Sequence, residues 1–380
     1  MDYGQKSIEL HRKHHGKISM KAKVPLETKD DLSLAYTPGV AAVCSAIGQD
    51  KEQSWQLTNR ANQVAIVCDG TAILGLGDLG PEAAMPVMEG KAAIFKRFAN
   101  IDAIPLCINT TDVEKIIRFC HQIEPSFGGI NLEDISAPRC FEIVERLEQE
   151  LAIPVFHDDQ DGTAIVVLAA LVNACRLAKK DFAHIKVVVN GAGAAGLAIS
   201  RLLISQQIKD LVLLDSQGCI CEGRCDLNSH KQVIACQTNR GQLAGGLAEA
   251  IKGADVFIGV SKGGLLSGEM AASMAADPII FALANPEPEI MPDTAKSAGA
   301  FIVGTGRSDL PNQINNALVF PGIFRGLLDH RINQVTQEMK IKVAQAIAAS
   351  CEPEPDKLLP TLLEDKTTAA IVKALSEFKK

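Results

Sequence analysis

Three valines, Val187, Val188 and Val189, run directly into Gly191-Ala192-Gly193-Ala194-Ala195-Gly196, and an uninterrupted helix is expected from Ala194 to Ser205. No other feature narrows the choice of fold so far. A strand ending in this glycine spacing needs the first glycine for a tight turn and the second so that backbone can approach a pyrophosphate. The third lets the helix pack closely on the strand. The helix N-terminus then offers unpaired amides and the positive end of its dipole to the phosphates. The next apolar run ends in Asp215, roughly 20 residues on, where a carboxylate accepts from a ribose 2′-OH. Gly191, Gly193, Ala194, Ala195, Gly196 and Asp215 are therefore the predicted cofactor-binding residues, with NAD favoured over NADP unless a nearby cation reverses the preference.

The same spacing occurs earlier, at Gly75, Gly77 and Gly80, but Pro81 follows at once and Pro86 interrupts the helical register that a phosphate-binding helix needs. This first loop reads as part of a substrate domain.

Apolar runs at 64–68, 104–108, 129–132 and 153–156 alternate with amphipathic stretches at 89–98, 112–122 and 139–151. That alternation predicts a parallel sheet with crossover helices. Residues 162–180 read as one long apolar helix and the candidate hinge, after which strands are expected at 187–190, 211–215, 256–260, 279–283 and 300–303. The predicted fold class is α/β with two domains. An N-terminal substrate and metal domain with a mainly parallel sheet spans 1–161, a Rossmann-type NAD-binding domain spans 162–349, and C-terminal helices span 350–380.

A net charge of −7 lacks the basic excess that a nucleic-acid backbone demands. Charged or turn residues interrupt every apolar run before it reaches membrane-spanning length, and the polar start of the chain lacks a signal-peptide core. A cytoplasmic protein is expected, with neither nucleic-acid nor membrane partners. Eleven cysteines, an odd number spread along the chain, read as reduced thiols, and Cys219, Cys221, Cys225 and Cys236 read as free thiols in a loop rather than a zinc site.

Acidic residues gather at the ends of predicted strands: Glu133 and Asp134, then Asp158, Asp159 and Asp161. Carboxylates so placed converge on the crevice where parallel sheets bind ligands, and they repel one another unless a cation intervenes. A hard divalent ion, Mg²⁺ or Mn²⁺, suits oxygen ligands. Asp161, just before Gly162 and Thr163, reads as a helix cap. Lys91, among small apolar residues, is the candidate base, since burial lowers an ammonium pKa toward neutrality. Tyr36, one of two tyrosines, would by itself read as packing.

Taken together, these segments resemble the short prokaryotic malic enzymes over nearly the whole chain. The resemblance is carried by Ser33 to Val40, Asp69 to Asp78, Pro86 to Lys91, Gly129 to Ile135, Val155 to Gln160, Phe281 to Pro286, Gly304 to Asp309, Pro311 to Asn316 and Phe320 to Gly322, in that order. It implies oxidative decarboxylation of L-malate to pyruvate and CO₂ with a nicotinamide cofactor, a divalent metal and a homodimer. By motif, Glu133, Asp134 and Asp159 would hold the metal, and Lys91 would be the general base with Asp158 as its partner. Tyr36 would protonate the enol, and Asn285, Asn315 and Asn316 would contact substrate and nicotinamide. The chain departs from the pattern at Ala72, where long malic enzymes carry an arginine for the malate carboxylate. It departs again at Asp161 and Leu310, where short relatives often have His and Tyr. Two rival readings share most of these features: a malolactic enzyme, which returns the hydride to give lactate, and a dinucleotide-binding sensor without catalysis. The sensor reading expects gaps among Tyr36, Lys91, Glu133, Asp134 and Asp159, and all five are present.

Overall fold

The computed structural model describes every residue except Met1, Asp2, Leu74, Lys209, Asp365 and Lys380. Four strands, β1 (Gln63–Cys68), β2 (Asp102–Cys107), β3 (Gly129–Glu133) and β4 (Val155–His157), form a wholly parallel sheet in the order β2-β1-β3-β4. Both faces are covered, and β1 and β3 are buried almost throughout. This explains why they read as continuous apolar runs rather than alternating ones. The chain leaves β1 toward β2 on one side and returns to β3 on the other, so the sheet has its switch point between the carboxyl ends of β1 and β3. Ligands of open parallel sheets bind in the crevice at such a point.

The second sheet joins β5 (Lys186–Asn190), β6 (Asp210–Asp215), β7 (Gly218–Cys219), β8 (Val256–Gly259), β9 (Ile279–Ala282) and β10 (Ile302–Thr305) in the order β10-β9-β8-β5-β6-β7. All its pairs are parallel except β6 with β7, a two-residue edge strand too short to carry a sequence signal. Its switch point lies between β5 and β8, where the glycine loop begins.

The helix Thr163–Ala178 runs through the interior, with eleven of its residues buried. Together with the turn before it, this segment is long and apolar enough to span a membrane, but it is largely buried inside the protein as a core helix. The helix Phe320–His330 follows the second sheet in sequence yet packs on the first. Its Phe320 and Phe324 rings lie 4.7 and 5.4 Å from Phe95, and Phe324 lies 6.0 Å from Phe156. Tilted and edge-on aromatic pairs of this kind each add about 0.5–1.5 kcal/mol beyond burial. Ile371 and Leu375 of the helix Lys366–Leu375 seat against Gly322 and Gly326 on the far side.

Two local expectations change. The helix Pro81–Ala99 passes through Pro86 without a break. Proline there removes only the bond to the carbonyl of the exposed Glu82, near the solvent-facing start of the helix. Asp161 caps nothing, because it lies within a single π-helical turn, Asp158–Gly162, that continues directly into Thr163–Ala178. Its carboxylate instead meets Lys340 Nζ at 2.7 Å.

Candidate active site

The first sheet assembles the acids. Glu133 ends β3, and Asp134 follows it in the left-handed region at φ 51. That unusual backbone is fixed by its carbonyl, which accepts from the amides of Thr71 and Ala72 at 3.1 Å each. The turn Asp158–Gly162, which follows β4, sends two neighbouring carboxylates in different directions. Asp159 Oδ2 accepts from the Asp134 amide at 2.9 Å, whereas Asp158 reaches Lys91. A Cβ at Gly162 would lie 1.9 Å from Asp158 Oδ1, so only glycine leaves room for this buried carboxylate.

Lys91 lies on the buried stripe Ala84, Met88, Lys91, Ala92, Phe95 and Ala99 of its helix, whose spacing presents one face to the sheet. Its Nζ contacts Asp158 Oδ2 at 2.5 Å and Glu133 Oε2 at 2.6 Å and stands 4.3 Å from the Phe320 ring centroid. Asn131, two residues before Glu133 and on the same strand face, donates to Glu133 Oε2 at 2.9 Å. Sequence reading missed both Asn131 and Phe320. The period-two spacing to Glu133 was the available signal for Asn131. Phe320 opens one of the segments that carry the resemblance, but nothing local assigns it a role, because it arrives from a distant helix.

The expected direction of the Lys91 pKa is reversed. Desolvation pulls it down, but Asp158, Glu133 and Asp159 outweigh desolvation and hold it above the ordinary lysine value. Burial in turn raises all four acids. Asp134 is pushed up to about 9 by desolvation and then by Asp159 and Glu133. Glu133, Asp158 and Asp159 are raised by desolvation as well. Desolvation lowers His157, wholly buried at the end of β4, to about 4, so it is neutral at pH 7.

Four carboxylates thus share one ammonium, and the local shortage of positive charge suits a divalent cation. Ligand oxygens of Glu133, Asp134 and Asp159 lie within 4.8 Å of one another, the only such group among the described residues. Asp134 Oδ2 is buried with no hydrogen-bond partner among the described residues, which leaves its lone pairs free for a cation. An all-oxygen donor set fits Mg²⁺ or Mn²⁺.

In the second domain the glycine loop has the geometry its spacing implies. A Cβ at Gly196 would lie 1.7 Å from the Gly191 carbonyl oxygen, and one at Gly191 would lie 2.7 Å from that of Val260. Gly193 faces open space, and the helix Ala194–Ser205 starts there without a side-chain cap, leaving its first amides for an anion. Ala194 and Ala195 form its first turn. Asp215, at the end of β6, is already engaged: Arg224 forks onto it with two bonds of 3.0 Å, and Lys231 approaches at 2.6 Å. Desolvation opposes the Asp215 charge, but these partners prevail and hold its pKa at about 2.

The earlier loop at Gly75 meets the other domain, where a Cβ on Gly75 would lie 2.2 Å from the Asn285 carbonyl oxygen. Asn285 is thereby placed where the two domains meet. Asn316 stands against Gly162 of the acid-bearing turn, while the Asn315 side chain accepts from the Ala317 amide at 2.9 Å and is spent on a local cap. Arg139, unmarked in sequence, bonds Asp69 at 3.0 Å and Thr71 at 2.9 Å and braces the turn that holds Asp134.

Tyr36 is the exception. It is 72% exposed, and the helices on either side of it, Lys29–Ala35 and Val40–Gln49, bury no residue.

Two matches span this arrangement. Residues 15–148 match the malic enzyme N-terminal domain family, and residues 160–376 match the malic enzyme NAD binding domain family. The chain belongs to the malic enzyme family. It is 52% identical to a bifunctional malic/malolactic enzyme of Bacillus subtilis, over 99% of this chain and 93% of that one. It is 51% identical to an NAD-dependent malic enzyme of Geobacillus stearothermophilus, over 95% and 76% of the two chains. The crystal structure of an NAD-dependent malic enzyme from Thermotoga maritima superposes with a TM-score of 0.94 at 50% identity, covering 97% of this chain and 98% of that one. The Entamoeba histolytica malic enzyme superposes at 0.95 with 38% identity, over 99% and 82%. The chain is therefore an NAD- or NADP-dependent oxidoreductase of the malic enzyme type, with two α/β domains.

Proposed function

We propose that this enzyme oxidises L-malate with NAD, and with Mg²⁺ or Mn²⁺ held by Glu133, Asp134 and Asp159, to give pyruvate, CO₂ and NADH. The observation that carries the reading is the buried Lys91, set between Asp158 and Glu133 at the switch point of the first sheet. A bound divalent cation supplies Lewis-acid polarisation of the C2 oxygen and offsets the acids that otherwise keep Lys91 protonated. Lys91 Nζ accepts the C2 hydroxyl proton as hydride leaves C2 for the nicotinamide, and Asp158 keeps Nζ in place. Loss of the C4 carboxylate as CO₂ leaves an enolate, whose oxygen takes the proton back from Lys91 Nζ. Tyr36 Oη then protonates the enol at C3 as Lys91 Nζ removes the proton from its oxygen. Asn285 and Asn316 orient the reactants at the domain junction, while Gly191, Gly193 and Gly196 seat the pyrophosphate.

NAD is the preferred cofactor, because the Asp215 carboxylate accepts from a ribose 2′-OH and opposes a 2′-phosphate. Arg224 and Lys231 neutralise part of that opposition, so NADP is used as a poorer substrate.

We further infer that the enzyme is a homodimer in which a second copy brings Tyr36 to the acids of the first. The helices between Tyr3 and Gln49 bury no residue, and together with the segments that connect them they expose Tyr3, Leu10, Met20, Leu26, Leu34 and Tyr36. Large apolar side chains left exposed along one segment mark a protein contact. That segment carries Tyr36, whose side chain is open to a second copy.

The relative named as bifunctional supports a second reading, in which the hydride returns to pyruvate and lactate leaves. Product analysis separates the two. With L-malate, NAD and Mn²⁺, one NADH per pyruvate is expected, faster with NAD than with NADP. Lactate formed with no net NADH would establish the malolactic reaction instead.

A further inference from the structure

Two thiols lie beside the metal-binding acids without belonging to them. Cys68 ends β1 and Cys107 ends β2, and the strand register pairs them directly. Register partners in parallel strands project from the same face of the sheet. Among the described strand pairs, no other places one cysteine opposite another. Cys107 is partly exposed, with its sulfur 3.7 Å from the Met85 thioether, while Cys68 is wholly buried. One sulfur is therefore reachable by a small oxidant and the other is positioned to resolve it. Neighbouring strands run about 4.8 Å apart, which lies within the Cα separation that a disulfide spans.

We propose that Cys107 and Cys68 form an oxidisable dithiol, in which a hydroperoxide converts the pair to a disulfide that weakens metal binding. The Cys107 thiolate attacks the peroxide O–O bond, becoming a sulfenic acid and releasing hydroxide, which takes a proton to become water. The Cys68 sulfur then displaces the sulfenic hydroxyl, forming the S–S bond and losing its own proton to make a second water. Two thiols lose two electrons, and hydrogen peroxide is reduced to two waters.

The consequence for the metal follows from the turn after β1. Cys68 Sγ accepts from the Gly70 amide at 3.2 Å, and the next two amides, of Thr71 and Ala72, hold the Asp134 carbonyl. Drawing the Cys68 sulfur toward Cys107 withdraws that acceptor and loosens the support of Asp134. Cys68 also pairs in register with Glu133 on its other side, so the disulfide forms one strand away from a second acid of the cluster. The effect on Mn²⁺ rests on the metal reading above. The cross-link itself does not.

The test treats reduced enzyme with hydrogen peroxide, blocks the remaining thiols, and maps peptides by mass spectrometry while Mn²⁺ affinity is read by electron paramagnetic resonance. A peptide joining Cys68 to Cys107 is expected, with roughly tenfold weaker Mn²⁺ binding, and dithiothreitol should reverse both. Cys107→Ser should show neither change while binding NAD normally. Absence of the joined peptide from the wild-type enzyme would overturn the dithiol. A joined peptide with unchanged Mn²⁺ affinity, or equal loss of affinity in Cys107→Ser, would overturn its coupling to the metal.

Discussion

Lys91→Ala is expected to lower kcat by a factor of about 10³ or more, while NAD binds as before. The Nζ group touches two acids of the cluster, Asp158 and Glu133, and the nucleotide loop is built on a different sheet. The substitution also removes the ammonium that Asp158 and Glu133 share. Breaking a buried ion pair by deleting one partner costs about 3–5 kcal/mol, so the metal-free variant should melt well below the wild type and recover much of the difference with Mn²⁺. Steady-state kinetics, NAD titration by fluorescence and thermal melts with and without Mn²⁺ check the three parts. Near-normal turnover would remove Lys91 from its role, and a lost NAD affinity would show that the variant had misfolded.

Tyr36→Phe is expected to be similarly inactive, with a loss of about 10²–10⁴ in kcat, and to leave the dimer intact. Mixing tests the origin of the tyrosine. If Tyr36 serves the opposite subunit, a heterodimer of Lys91→Ala and Tyr36→Phe chains contains one site with both groups and one with neither. Two inactive proteins, unfolded and reassembled together, should then regain about a quarter of the wild-type activity, since half of randomly formed symmetric dimers are mixed. If each chain used its own Tyr36, every site in the mixture would lack one group and no activity would return. The exposure of Tyr36 and the absence of buried residues in the helices flanking it favour the first outcome.

Features that depend on short-range pattern were open to reading from the residues. The glycine loop, the strand before it and the helix after it obey local rules, and β1, β3, β5 and β8 stand out as apolar runs because both faces of each sheet are covered. Clustered acids at the ends of β3 and β4 signalled the crevice. What failed depended on partners distant in sequence. The direction of the Lys91 pKa turned on three carboxylates from the end of β3 and the turn after β4, and proximity outweighed the burial from which it had been argued. Asp161 read as a cap because its partner, Lys340, lies far along the chain. Pro86 read as a break because the rule is local, and the helix tolerates it where the lost bond faces water. Arg224 and Lys231 neutralise Asp215 from the loop and helix after β7, a two-residue strand that leaves no pattern.

The central claim is that Glu133, Asp134 and Asp159 hold a divalent cation beside Lys91. Titration of the metal-free enzyme with Mn²⁺, followed by electron paramagnetic resonance, tests it without relying on turnover. One tight Mn²⁺ per chain is predicted, lost in Asp159→Asn and in Glu133→Gln and kept in Asp215→Asn. Unchanged Mn²⁺ binding in both acid variants would contradict the account.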